Sequence, residues 1–197
     1  MKDMLADEFR KTLVNFQAMS SDPKLPAQVE AAVRISTQAL RDGHRLLFAG
    51  NGGSAADAQH WAGELVSRFY YDRPGLAAIA LTTDSSILTA IGNDYGYDYV
   101  FARQIEALGQ AGDVFFAIST SGRSPNIVRA IAAARARAMR VIGFTGGGDG
   151  GATMAAECDV CFCVPSTETP RIQEGHEFLG HTICALIEAD MHPRSAD

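Results

Sequence analysis

At 197 residues, with 47% hydrophobic and 20% charged side chains, the chain has the size and composition of one globular domain with a sizeable core, which excludes a disordered or fibrous protein. Its 17 Lys and Arg against 23 Asp and Glu give a formal net charge of −6, which argues against non-specific binding to a nucleic-acid backbone. A ligand carrying phosphate must then be captured by local geometry. No stretch approaches the ~20 apolar residues of a membrane span. Met1–Arg10 carries Lys2, Asp3, Asp7, Glu8 and Arg10 where a signal peptide would have an apolar run, so a cytoplasmic protein without nucleic-acid or membrane partners is expected.

In chain order, residues 1–42 read as two helices broken at Ser21-Asp22-Pro23, a helical extension ahead of a different texture. Short apolar runs then follow at Arg45–Gly50, Leu76–Leu81, Asp113–Thr120, Arg140–Thr145 and Val160–Val164. None alternates, as expected of strands buried on both faces. Helical patterns separate them, which predicts an α/β fold: a five-stranded, largely parallel sheet flanked by helices in one domain. Cys158-x2-Cys161-x-Cys163 is half of a thiolate metal site without a second pair to complete it. Because Cys161 and Cys163 lie within an apolar run, buried strand thiols are the preferred reading. With Cys184 they are too few and too bunched for a secreted disulfide framework.

In an open parallel sheet, ligands sit where strands end and loops lead into helices. Those loops are Gly50–Ser54 (GNGGS), Thr82–Ser86 (TTDSS), Ser119–Ser124 (STSGRS) and Thr145–Gly151 (TGGGDGG), rich in Gly, Ser and Thr and free of Lys. Backbone N–H groups at helix starts bind anions, and hydroxyls add donors. The third loop carries Ser119, Thr120, Ser121 and Ser124 ahead of Pro125, a helix-initiating pair with Ile127, Ile131, Ala134 and Ala138 as the buried stripe. It reads as a phosphate cup in preference to a merely well-capped helix. Gly50-x-Gly52-x-x-Ala55 resembles a dinucleotide fingerprint, but the next strand ends in Thr82-Thr83 with no acidic residue at the required distance. No Gly-x4-Gly-Lys-Ser/Thr occurs.

Two helical segments carry polar faces opposite their core stripes. Over Ser54–Phe69 the stripe is Ala58, Ala62, Leu65 and Phe69, and His60 and Glu64 point the other way, one turn apart. Over Arg171–Ala189 the stripe is Ile172, Leu179, Ile183 and Leu186; Glu174 and His181 lie opposite, Gln173 and Glu177 on the flank, and His176 reads as packed. A His and a carboxylate one turn apart can share a metal or act as an acid/base pair, although alone the bland alternative is a solvated i,i+4 contact. If the two faces met, His60, Glu64, Gln173 and His181 would offer two imidazoles, a carboxylate and an amide oxygen, acceptable to a borderline metal. A site facing away from its own core also invites completion by another subunit.

Four stretches, Gly50–Glu64, Leu81–Asp94, Gly112–Asn126 and Arg171–His181, resemble the sugar isomerase (SIS) domain family, and within it the phosphoheptose isomerases. Only Gly146–Gly151 looks longer than usual there. The resemblance implies a homotetramer with active sites at subunit interfaces. It also implies conversion of sedoheptulose 7-phosphate to D-glycero-D-manno-heptose 7-phosphate, on the route to ADP- or GDP-heptose for lipopolysaccharide and other surface glycans. It implies acid/base roles for Glu64 and His181, and one Zn2+ per subunit on His60, Glu64, Gln173 and His181. It further implies substrate contacts from Asn51, Gly52, Gly53, Ser54, Glu64, Asn93, Asp94, Ser119, Thr120, Ser121, Ser124 and Gln173. A related branch consists of non-catalytic regulators that bind the bacterial replication initiator and lack counterparts of Glu64 and His181; this chain has both. A sugar-phosphate sensor without turnover is separated from an enzyme by the same pair.

Overall fold

Two helices open the chain, α1 (Lys2–Ser20) and α2 (Leu25–Arg41). The turn between them is held by Asp22, whose carboxylate accepts from the Lys24 backbone N–H, and Pro26 sits in the first turn of α2, where a missing N–H costs nothing. Strands and helices then alternate: β1 (Leu46–Ala49), α3 (Gly53–Val66), β2 (Ala78–Ala80), α4 (Ser85–Asp94), a 3-10 turn at Tyr97–Tyr99, α5 (Ala102–Leu108), β3 (Val114–Ile118), α6 (Pro125–Ala136), β4 (Arg140–Gly146), α7 (Asp149–Ala156), β5 (Val160–Val164) and α8 (Thr169–Met191). The structure, a computed structural model, describes residues 2–194.

The five strands form one parallel sheet in the order β2-β1-β3-β4-β5, the α/β architecture expected. β1 and β3 are buried throughout, and neighbouring residues serve opposite faces. Phe48 and Phe116 join Trp61, Phe144, Phe162, Leu179 and Ile183 on one side, under α2, α3 and α8. Leu47 and Phe115 join Ile105, Ile127, Ile131 and Val141 on the other, under α5 and α6. With both faces covered, an unbroken apolar run is the right strand sequence. Each fully buried side chain of this size contributes roughly 1.5–3 kcal/mol.

The departures from expectation lie at edges and ends. β2 is an edge strand of three residues with Ile79 exposed, and β5 is the other edge. Cys161 is buried there, but Cys163 faces solvent, so only one of the two is a buried strand thiol. α6 stops at Ala136 because Ala138 takes a left-handed conformation (φ 56°) that turns the chain into β4; Ala138 is exposed, and Met139 fills the core in its place. Along α8 the buried positions run Ile172, His176, Leu179, Ile183 and Ile187. That drift carries Leu186, expected in the core, out to an apolar cavity of about 1060 Å³ between α1, α2 and α8.

His176 is fully buried, with Nε2 3.1 Å from the Thr145 carbonyl. Burial pushes its pKa down to about 4, partly offset by that carbonyl. The folded state therefore keeps it neutral while the unfolded chain takes up a proton below about 6.5. Stability should fall as pH drops from about 6.5 to about 4, by roughly 3 kcal/mol from this residue. Denaturant unfolding over that range should show a correspondingly flatter pH profile in His176→Leu; parallel profiles would refute the assignment.

Candidate active site

In the order 2-1-3-4-5 the chain reverses direction across the sheet between β1 and β3, and the crevice beyond that switch point is where such sheets take ligands. The loops leaving these two strands are Gly50–Gly52 and Ser119–Ser124, and a reciprocal amide pair joins them. Asn51 Nδ2 donates to Asn126 Oδ1 at 2.9 Å, and Asn126 Nδ2 donates to Asn51 Oδ1 at 2.8 Å. Tyr97 also donates its hydroxyl to Asn51 Oδ1. Gly52 takes φ 57° to start α3, and the Gln173 amide lies so close over Gly53 that a Cβ there would collide with it. Ser54 is buried just behind.

At the start of α6, Ser124 is the N-cap residue and Pro125 occupies the first turn, but the Ser124 hydroxyl does not cap the helix. It accepts from Ser119 Oγ at 3.0 Å instead, which leaves the first N–H groups of α6 without that partner. Thr120, Ser121 and Arg123 line a cavity of about 350 Å³ shared with Gly147–Gly150, Thr167 and Thr169. The glycine-rich run closes its far wall. Gly122 (φ 63°) and Gly150 approach backbone to backbone, with no room for a Cβ on either.

α3 and α8 bring the two polar faces together within one chain. His60 Nε2 lies 2.8 Å from His181 Nε2, and Glu64 Oε1 lies 3.7 Å from His60 Nε2. Glu177, placed on the flank by the helical pattern, stands between the imidazoles: Oε1 is 3.3 Å from His60 Nε2 and 3.0 Å from His181 Nε2. Its other oxygen accepts from Trp61 Nε1 at 3.1 Å. One ligand atom each from His60, Glu177 and His181 lie within 4.8 Å of one another, and imidazoles with a carboxylate are the donor types zinc takes. Asp57, one turn before Trp61, has a buried Oδ2 without a hydrogen-bond partner among the described residues. Burial, then the neighbouring Glu177 charge, pushes its pKa up to about 6, with His60 acting the other way.

The other expected residues are placed elsewhere. Glu174 turns to the N-terminal extension, pairing with Arg171 at 2.6 Å and accepting from Thr12 at 3.0 Å. Asn93 and Asp94 are exposed at the end of α4, bonded to one another at 2.7 Å. Phe69 lies beyond α3, which ends at Val66; it packs edge-on to the His181 ring. Arg73 explains the early stop. Its guanidinium donates to the carbonyls of Glu64, Leu65 and Ser67, taking over the end of the helix, and pairs with buried Glu188 of α8 at 3.0 Å. Glu188 also accepts from the Phe69 and Tyr70 backbone N–H groups, both at 2.8 Å. The end of α3 that carries Glu64 is thus tied to α8, which carries His181. Sequence reasoning missed Trp61, Arg73 and Glu188 and underweighted Glu177, whose signal was its i,i+4 spacing to His181.

The SIS domain family model matches residues 13–146. The chain is 50% identical over 188 residues to a phosphoheptose isomerase of Aneurinibacillus thermoaerophilus, covering 95% of this chain and 94% of that one. It is 56% identical over 171 residues to a phosphoheptose isomerase of Burkholderia pseudomallei, covering 87% and 86%. The solved structure of phosphoheptose isomerase GmhA from Neisseria gonorrhoeae superposes with a TM-score of 0.87 at 45% identity, covering 95% of this chain and 98% of that one. Matched by the family model over most of its length and by such relatives over nearly all of it, the chain belongs to the SIS domain family.

Proposed function

We propose that the protein is an aldose–ketose isomerase that converts sedoheptulose 7-phosphate to D-glycero-D-manno-heptose 7-phosphate, supplying ADP- or GDP-heptose for lipopolysaccharide and related glycans. The observation that carries this reading is the convergence of His60, Glu64 and His181 where α3 meets α8, on a chain whose relatives are named for that activity.

The reaction takes a proton from C1 of the ketose and delivers one to C2 through an enediol, while the hydroxyl proton passes from O1 to O2. Glu64 and His181 are the groups that hold and move these protons, as general base and acid. The Ser119–Ser124 loop, with Asn51, Gly52, Gly53, Ser54 and Gln173 beside it, holds the phosphate and sugar; the phosphate does not react, so its binding energy fixes the reacting carbons. Asn93 and Asp94, exposed at the end of α4, are further substrate contacts named only by the family resemblance. Zinc, when bound, supplies a Lewis acid for the oxygen that gathers charge in the enediol. His60 and His181 would hold it, with Glu64 and Gln173 as the further donors named by the family resemblance.

A homotetramer with sites closed at subunit interfaces accords with the exposed Leu5, Phe9 and Leu13 along α1 and the half-exposed imidazoles; the cytoplasm is the compartment we infer for it. Sedimentation as a fully active monomer would overturn that assembly. The reaction itself is tested by following heptose 7-phosphate formation. Replacing both Ser119 and Ser124 with Ala should raise KM strongly while the fold persists; an unchanged KM would sink the phosphate assignment. No turnover of any heptulose phosphate, together with tight binding to a replication initiator, would favour the regulator.

A further inference from the structure

We infer that Asn126 is a positioning residue for Asn51: its buried amide holds the Asn51 amide in one orientation, oxygen inward, so that Asn51 meets the bound sugar phosphate with an N–H. This role rests on the sugar-phosphate reading proposed above and adds a residue outside the contacts that the resemblance names.

An asparagine side chain has two oxygen lone pairs and two N–H hydrogens to place. On Asn51 the oxygen is full: it accepts from Asn126 Nδ2 at 2.8 Å and from the Tyr97 hydroxyl at 3.3 Å. One hydrogen of Asn51 Nδ2 goes to Asn126 Oδ1 at 2.9 Å. One N–H is left over, without a partner among the described residues. Turning the Asn51 amide over by itself would set oxygen against oxygen and nitrogen against nitrogen across the pair, so Asn126 locks the orientation.

Asn51 needs such a lock. It is half-buried in the loop after β1, between Gly50 and Gly52, and glycines restrain a backbone least. Asn126, by contrast, is 3% exposed and anchored in the first turn of α6. Among the described residues its side chain has no hydrogen-bond partner other than Asn51. Burying an amide is costly unless both of its ends are satisfied, and here a residue of the other loop satisfies both.

One short segment thus serves two parts of the crevice. Ser124 and Asn126 both stand at the start of α6; the first meets Ser119 within the phosphate loop, and the second fixes Asn51 in the loop after β1. Asn51 is set as a donor at a constant place relative to the phosphate cup. These loops carry no Lys, so N–H and O–H groups must meet the oxygens of the ligand. An Asn51 turned the other way would present a carbonyl oxygen to them instead.

Calorimetric titration of the full-length chain with sedoheptulose 7-phosphate, in a Glu64→Gln background that suppresses turnover, reads this role. Asn51→Ala should weaken binding by ~10–100-fold, as expected for a lost hydrogen bond to a charged group. Asn126→Ala should weaken it by roughly tenfold without having touched the ligand. The double variant should bind within about twofold of Asn51→Ala, because Asn126 acts through Asn51 alone. An asparagine with a merely structural role would cost the same factor in either background, so additive losses would overturn the assignment, as would unchanged affinity in Asn126→Ala. Thermal unfolding without ligand shows whether each variant folds. Should Asn126→Ala fail to fold, Asn126→Asp, which keeps the volume and one acceptor, takes its place in the cycle and should show the same lack of additivity. Turnover by the wild-type chain is assayed separately: binding without isomerisation sinks the isomerase and leaves the role of Asn126 standing, whereas no binding at all removes both.

Discussion

Replacing Glu64 with Gln is expected to lower turnover of sedoheptulose 7-phosphate by at least ~100-fold, because a placed general base contributes about 10²–10⁴-fold. The amide keeps the shape of the carboxylate and removes the proton acceptor. Glu64 is half-buried on α3 and, among the described residues, its side chain pairs with His60 and not with the core, so unfolding curves and sedimentation should match the wild type. His181→Ala should be impaired to a similar degree. The double variant should be little worse than either alone, since both residues serve one proton-transfer unit. Initial rates under saturating substrate decide the matter. Normal turnover in both single variants would remove the acid/base assignment while leaving the fold intact.

The second large effect concerns stability. Arg73 and Glu188 form an ion pair with side chains 2% and 0% exposed. Removing one partner of a buried pair leaves the other charge uncompensated and costs about 3–5 kcal/mol. Glu188→Ala should fall in that range, because it also strands two backbone N–H groups at Phe69 and Tyr70. In a chain of this length the melting temperature should drop by roughly 10 °C. Although burial alone would raise it, the Glu188 pKa is held down by the Tyr70 and Phe69 N–H groups and by Arg73. Its contribution is therefore present at neutral pH and lost as pH falls through the folded pKa. Denaturant unfolding at pH 7 checks this, and a loss below about 1 kcal/mol would show the pair to be no stronger than a surface contact. Activity should suffer as well, since Arg73 holds the carbonyl of Glu64 itself.

What the sequence disclosed follows from which forces act locally. β1, β3 and β4 could be read because strands buried on both faces are apolar without interruption. The edges were read unevenly: β5 has the expected bounds, Val160–Val164, whereas β2 is shorter than the run Leu76–Leu81, and an edge position such as Ile79 or Cys163 can face water without a polar residue to mark it. His60 and His181 were legible as helix positions opposite a core stripe. Glu177 was not, because a flank position becomes central only when the crossing of α3 and α8 is known. Trp61 hid for a related reason: its ring belongs to the core while its N–H reaches the site. Arg73 and Glu188 lie 115 positions apart, and no local pattern links them.

α8 keeps three appointments along one rod. Near its start Arg171 and Glu174 meet Glu8 and Thr12 of α1; further along, Glu177 and His181 meet His60; near its end Glu188 meets Arg73. The span from Arg171 to Glu188 is about 25 Å at 1.5 Å per residue, and each residue turns the helix by about 100°. A single inserted residue between His181 and Glu188 would swing one group of partners a quarter-turn out of phase with the other. Length can drift in the Pro165–Glu168 approach to the helix, but from Arg171 to Glu188 the residue count itself is fixed by the angles at which its partners wait.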